Sequence, residues 1–328
     1  MDEEMTRNVI SVRDLHVSLS LGGNIVTPVD GISFDVRAGE SLGIVGESGS
    51  GKSLSLRAVL GLLPRDGTST GSVRYAFADG RIGADAERVR GRGAAMVFQE
   101  PMTALNPTMR VGDLIGEAVR VTGVRSQRAV KARVIELMAS VGIPEPARRA
   151  RMWPHELSGG LRQRVMIAAA LATGPEILFC DEPTTALDVT IQDQILGLLR
   201  GLQEERGMAM VFVSHDLAVV SEVCDRIAVM YAGRVVETGP VAEVLRSPRH
   251  PYTRALLASA PSFAGGTDEL ATIPGTPPDP RDFPSGCRFA PRCAFAQEEC
   301  LRAPYTLDGD GERATACIRP EVLEAVAA

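Results

Sequence analysis

The stretch "LGIVGESGSGKS" (42–53) constrains this chain more than any other. A short apolar strand pattern runs into G-x-x-x-x-G-K-[ST], and a helical pattern (51–63) follows. Glycines let successive backbone N–H groups curl around an anion, and the helix start behind them adds its positive dipole end. Gly46, Ser48, Gly49, Ser50, Gly51, Lys52 and Ser53 are therefore candidate contacts to a nucleotide's phosphates. Lys52 is placed to reach the β- and γ-phosphates, and the Ser53 hydroxyl to ligate Mg²⁺. Lys52 and Lys131 are the only lysines among 35 basic residues, so a compact ammonium retained here points to chemistry.

The surrounding pattern predicts an α/β fold. Strand candidates are "LGIVG" (42–46), "AMVFQ" (95–99), "EILFCDE" (176–182), "AMVFVSH" (209–215) and "RIAVMYAGRVVETG" (226–239). Helices are expected at 51–63, 187–205 and 216–224. Continuous apolar strands alternating with amphipathic helices imply a mainly parallel sheet covered on both faces. Ligands of such sheets bind beyond the carboxyl ends of the strands, where Gly46, Asp181 and His215 fall. Residues 108–152 read as a mostly helical insert. "IPGTPPDPRDFPSG" (273–286) is too proline-rich for core and reads as an extended linker.

"ILFCDEP" (177–183) puts two carboxylates at a strand end. Asp181 is placed to hold Mg²⁺ through water, and Glu182 to polarise the attacking water. "LSGGLRQR" (157–164) sets Ser158 and two glycines before a helix expected near Leu161. Alone this is an N-cap and a tight turn, but it is also a second anion-binding helix terminus. Two such ends in one chain suggest two different nucleotides.

Composition narrows the classes. A net charge of −6 argues against a nucleic-acid partner, and no apolar run reaches membrane-spanning length. "MDEEMTRNV" lacks the apolar stretch of a signal peptide, so a cytoplasmic location is expected. Reduced thiols in such a compartment more often hold metal than pair with each other. Four of the 6 cysteines, Cys287, Cys293, Cys300 and Cys317, crowd into the tail with spacing C-x₅-C-x₆-C-x₁₆-C. That donor set suits tetrahedral Zn²⁺ or an iron–sulfur cluster, and four unlinked thiols are the plain alternative. The wide gaps and missing C-x-x-C pair fit a larger cluster gathered from separate loops. Cys180 and Cys224 lie in strand and helix patterns and read as core residues.

With these motifs in place, residues 10–260 resemble the nucleotide-binding subunit of an ATP-binding-cassette transporter. The resemblance rests on the phosphate loop, Gln99 in "MVFQEP", "LSGGLRQR", "ILFCDEPTTALD" and His215 in "VFVSHD", in that order. It implies a P-loop NTPase (RecA-like) fold with a helical subdomain, a β-rich N-terminal part and a small C-terminal cysteine module. The cassette would span 1–245, with its helical insert near 100–160, and the extension 246–328. Two subunits of this family pair head to tail around two ATP molecules. By resemblance Ser158, Gly159, Gly160 and Gln163 form the signature that meets the partner's ATP. Gln99 links the metal and γ-phosphate to the helical insert, His215 braces the γ-phosphate and water, and Asp188 crosses the interface. The family usually stacks adenine on an aromatic residue of the first strand region, where this chain has Leu19.

"QEPMTALNPTMRVGD" (99–113), "HPYTRALLASAP" (250–261) and the cysteine tail are similar to ATPases of oligopeptide and dipeptide importers. This resemblance favours a [4Fe–4S] cluster over zinc. It implies a heterodimer with a second ATPase, two transmembrane permease subunits and an extracytoplasmic substrate-binding protein. The chain would then sit peripherally on the cytoplasmic face of the inner membrane. Related importers carry nickel, glutathione or sugars, and a soluble cassette ATPase uses the same nucleotide site.

Overall fold

The computed structural model describes residues 7–80, 82–83, 86–185, 187–260, 272–309 and 311–323. The chain folds into two compact units, one built from residues up to Ile10, Val36–Glu40 and Arg74–Val211, the other from Ser11–Asp35, Ser41–Val73 and Phe212 onward. The strands are, in chain order, β1 (Asn8–Leu21), β2 (Asn24–Arg37), β3 (Ser41–Val45), β4 (Gly67–Ala76), β5 (Ile82–Gly83), β6 (Ala94–Val97), β7 (Ile177–Asp181), β8 (Ala209–Ser214), β9 (Arg226–Tyr231), β10 (Arg234–Pro240), β11 (Asp308–Gly309) and β12 (Ala314–Thr315).

In the first unit β6 and β7 run parallel, with Ala94 opposite Ile177 and Val97 opposite Cys180. Every residue of β7 is buried, as in a strand covered on both faces. The predicted helical insert is present as the helices Val111–Val121 and Gln127–Ser140, with a short turn at Pro146–Arg149. Val111, Ile115 and Val119 recur at the helical period and are all buried, as are Val130, Val134 and Leu137 of the next helix. The long helix Val189–Arg206 begins at Asp188, whose Oδ1 accepts the amide of Ile191 at 3.0 Å, and ends at Gly207 in the left-handed region.

In the second unit β3 runs parallel to β9, and β9 turns back on β10 through Ala232 and Gly233, both at positive φ. The apolar run 226–239, expected as one strand, is thus a hairpin. The turn's one mark in the sequence is Gly233, a lone glycine between two apolar stretches. Tail strand β12 pairs with the free edge of β10, and β11 pairs with β12. The helix expected over 51–63 stops earlier, at Lys52–Val59. Gly61, at φ 63°, closes it: its amide donates to the Ala58 carbonyl and the Leu62 amide to the Arg57 carbonyl. β1 and β2 alternate buried and exposed residues, the mark of a sheet with one wet face.

The tail is seated on the β9–β10 hairpin. Phe289 meets Tyr231 and Tyr252 edge-on, with centroids 5.2 and 5.4 Å away. Glu237 is fully buried and accepts the amides of Arg249 and His250 at 2.8 and 2.9 Å and the Arg313 guanidinium at 3.3 Å. Tyr305 donates to the Val235 carbonyl. Cys180 and Cys224 are buried, as their patterns predict.

His250 caps the helix Pro251–Ser259, its Nδ1 accepting the Tyr252 amide at 3.1 Å. Burial holds its pKa down at about 3, so it stays neutral in the fold. The unfolded chain takes up a proton below about pH 6.5 and the folded chain does not, so stability falls as pH drops through that range. His250→Asn keeps a capping acceptor and removes the titration. Urea unfolding at pH 7 and pH 5.5 is expected to show a loss in the wild type, at most about 1.4 kcal/mol per pH unit, that the variant lacks. A second outcome concerns Gly43, where an added Cβ would lie 2.3 Å from Cγ1 of Val220. Gly43→Ala is expected to lower unfolding stability by about 1–3 kcal/mol, since helix and strand are already in contact there.

Candidate nucleotide site

The phosphate loop grows out of β3 because the strand has nowhere to continue. Gly46, at φ 155°, lies so close to β9 that a Cβ would be 2.1 Å from the Met230 carbonyl oxygen. Gly49 and Gly51 follow at φ 82° and 101°, and the helix starts at Lys52. Such a run of turns aims main-chain donors into one concavity. Lys52 is 5% exposed, its Nζ donating to the carbonyls of Gly46 at 2.8 Å and Glu47 at 3.0 Å. Ser48 and Gly49 are exposed, and open space lies where a Gly49 side chain would be. The buried Ser50 hydroxyl has no hydrogen-bond partner among the described residues. A buried orphan oxygen beside a lysine ammonium and an open glycine corner fits a polyphosphate.

The loop is held from outside. The Gly233 amide at the β9–β10 turn donates to the Ser50 carbonyl at 3.0 Å. The Glu47 amide donates to the Tyr252 hydroxyl at 2.8 Å, and the Glu47 carboxylate takes a two-pronged contact from Arg292. Tyr252 and Arg292 are invisible to local pattern reading. His215 belongs to the same unit; it is exposed directly after β8, and Asp216 beside it caps the next helix through Ala218.

The carboxylates belong to the other unit. Asp181 ends β7 and is fully buried. Glu182 follows at φ 44°, a left-handed conformation that costs a non-glycine residue energy and recurs at functional sites. Its Oε2 accepts from Gln99 Nε2 at 3.1 Å and from the Thr185 hydroxyl at 2.9 Å. The structure therefore pairs Gln99 with Glu182, and adds Thr185, which the sequence did not single out. In this unit Asp181 has the right chemistry to hold Mg²⁺, with Gln99 as the amide candidate; Ser53 is the candidate of the other unit.

The helix expected near Leu161 begins at Gly159, and Ser158 occupies its N-cap position without a side-chain cap bond. Gly160 lets this helix approach the helix Val189–Arg206 closely: a Cβ there would lie 2.6 Å from Cγ2 of Ile191. Ser158 and Gly159 are exposed, whereas Gln163 is buried in the helix with no partner for its Nε2 among the described residues. Asp188 is exposed and spends one oxygen on the helix cap. Leu19 is half-buried in β1.

Cys287, Cys293, Cys300 and Cys317 all line one cavity, with Tyr231, Phe289 and Phe295. Four sulfur donors around one space are the right chemistry for a thiolate-bound centre. As they stand, no three His, Cys, Asp or Glu side chains among the described residues are grouped to grip a metal ion. Burial raises the Cys287 and Cys293 thiols and pushes Cys317 up to about 11, so the uncharged form is favoured at neutral pH.

Residues 29–185 match the ABC transporter family, and residues 236–300 match the oligopeptide/dipeptide transporter C-terminal region. A relative from Brucella ovis, named as a peptide import ATP-binding protein, is 46% identical over 97% of this chain and 98% of its own length. The protein named oligopeptide transport ATP-binding protein OppD of Mycobacterium tuberculosis is 48% identical over 96% of this chain, which spans 52% of that longer relative. Among solved structures, a dimeric ATP-binding cassette with ADP and Pi superposes with a TM-score of 0.62 at 29% identity, over 71% of this chain and 98% of the cassette. The cbiO1 subunit of a Clostridium perfringens ABC transporter complex gives 0.60 at 27% identity, over 73% and 91%. A chain matched along nearly its whole length, with the glycine loop and the acidic strand end in family order, belongs to the ATP-binding subunits of ABC transporters.

Proposed function

We propose that this chain hydrolyses ATP to drive uptake of peptides through separate membrane subunits. The observation that carries the reading is the joining of an ATP-binding cassette to an oligopeptide/dipeptide transporter C-terminal region in one chain. No helix among the described residues is long and apolar enough to cross a membrane, so a translocation path would be supplied by other chains.

In this reading the phosphate loop binds the triphosphate through Gly49, Gly51, Lys52 and Ser53. Mg²⁺ bound with the nucleotide would neutralise phosphate charge; Ser53 of one unit and Asp181 and Gln99 of the other are the candidates to hold it. Glu182 accepts a hydrogen bond from the attacking water and aims it at the γ-phosphorus. Its bonds to Gln99 and Thr185 fix the carboxylate in one orientation before substrate arrives. His215 steadies the γ-phosphate and the water. Ser158, Gly159 and Gly160 offer an exposed helix start to the ATP of a second cassette, with Asp188 at the same face. That second cassette is a non-identical ATPase, the permeases and an extracytoplasmic binding protein complete the importer, and the chain sits peripherally at the cytoplasmic face of the membrane. The four tail thiols hold a [4Fe–4S] cluster, with zinc the alternative. Such a centre would contribute folding energy to a tail with little apolar core.

Glu182→Gln keeps the side chain's size and one acceptor oxygen and removes the charge. In the assembled transporter it is expected to lower ATP turnover by about 10²–10⁴-fold while ATP binding persists. Unchanged turnover would remove Glu182 from the mechanism. Iron and acid-labile sulfide assays on anaerobically purified chain are expected to give about four of each. Zinc without sulfide selects the alternative, and Cys300→Ser is expected to lower the metal content in either case.

A further inference from the structure

We propose that Arg292, in the cysteine-bearing tail, is a positioning residue for the phosphate loop, setting ATP affinity through Glu47. This rests on the reading that Lys52 binds phosphate. Glu47 is the pivot because every polar atom it has is engaged. Its carboxylate takes Nη1 of Arg292 at 2.7 Å and Nη2 at 3.1 Å. Its amide donates to the Tyr252 hydroxyl at 2.8 Å. Its carbonyl accepts from the Ser50 amide at 3.2 Å and from Lys52 Nζ at 3.0 Å. A rotation of Glu47 therefore moves a carbonyl that holds the lysine ammonium.

Arg292 is built for such a brace. Its side chain is 5% exposed, against 25% for Glu47. Nε donates to the Pro274 carbonyl at 2.8 Å, Nη2 also to the Ile273 carbonyl at 3.3 Å, and Nη1 also to the Tyr231 hydroxyl at 3.2 Å. Three groups from the linker and β9 thus orient the guanidinium plane, and the fork then fixes the carboxylate in two dimensions. A buried ion pair is a poor device for stability alone, because desolvation consumes much of its attraction. Geometry is what it secures here. Arg292 directly precedes Cys293, whose thiol lines the four-cysteine cavity, so the backbone carrying the brace also carries that cavity's wall.

The test is equilibrium binding of a fluorescent ATP analogue with Mg²⁺ to the full-length chain, comparing wild type, Glu47→Gln, Arg292→Gln, the double variant and Lys52→Ala. Each single Gln variant is expected to weaken binding about tenfold, and the double variant no more than the weaker single, because both remove one contact. In the assembled transporter Glu47→Gln is expected to raise KM about tenfold with kcat within about twofold, the pattern of lost ground-state binding. A general loss of structure would lower kcat as well. Wild-type affinity in either Gln variant, or a double variant weakened by the product of the two, overturns the proposal. Should Arg292→Gln fail to fold, Glu47→Gln decides alone by the same affinity and KM criteria. Lys52→Ala separates the two levels. If it keeps full affinity, the phosphate-loop reading itself fails; if it loses affinity while both Gln variants bind normally, only the Arg292 brace is wrong.

Discussion

A loop that grips an anion by its main chain must keep donors facing the ligand, so it has to be held in shape by its neighbours. That constraint organises the second unit. The β9 carbonyl at Met230 presses against Gly46, the hairpin turn reaches the loop through Gly233, and Tyr252 reaches it from a later helix. Each contact demands something specific of the sequence. Gly46 tolerates no side chain, Gly233 must turn with positive φ beside Pro28, and Tyr252 must be buried with its hydroxyl still directed at an amide.

The carboxylate end of the chemistry obeys the opposite logic. Glu182 is held by its own side-chain oxygen, through Gln99 and Thr185, while its backbone sits in an unfavourable region. A residue placed this way is paid for by the packed strand behind it, where Phe179 and Cys180 are completely buried. Rigidity of β7 is thus a condition for the reach of Glu182. The bond to Gln99 also ties that carboxylate to the segment that leaves β6 toward the helical insert.

Much of this was legible in the residues. β3, β7 and β8 are fully buried strands, and their unbroken apolar runs announce them. Glycines at fixed offsets announced the phosphate loop, because left-handed turns leave a compositional trace. The hairpin at Ala232 left only the single Gly233, because Ala232 shares the left-handed turn without a glycine's signature. Glu182 in a left-handed conformation leaves no trace, because neighbours impose that geometry and glutamate has no preference for it. The Arg292 contact to Glu47 spans 245 residues, and an arginine in a proline-rich, cysteine-bearing segment carries no mark of its partner. The four tail thiols were expected to converge, and they do share a cavity, yet their spacing could not show how far apart they stand within it.

The pairing of β12 with β10 also bears on solubility. Without it, the seven residues Arg234–Pro240 would offer a bare row of carbonyls and amides along one side of the hairpin, a template on which another chain can register. The tail covers part of that row with two residues and ends the ladder in another two. The same appendage that carries the cysteines thus also shortens the strand edge that the hairpin leaves open.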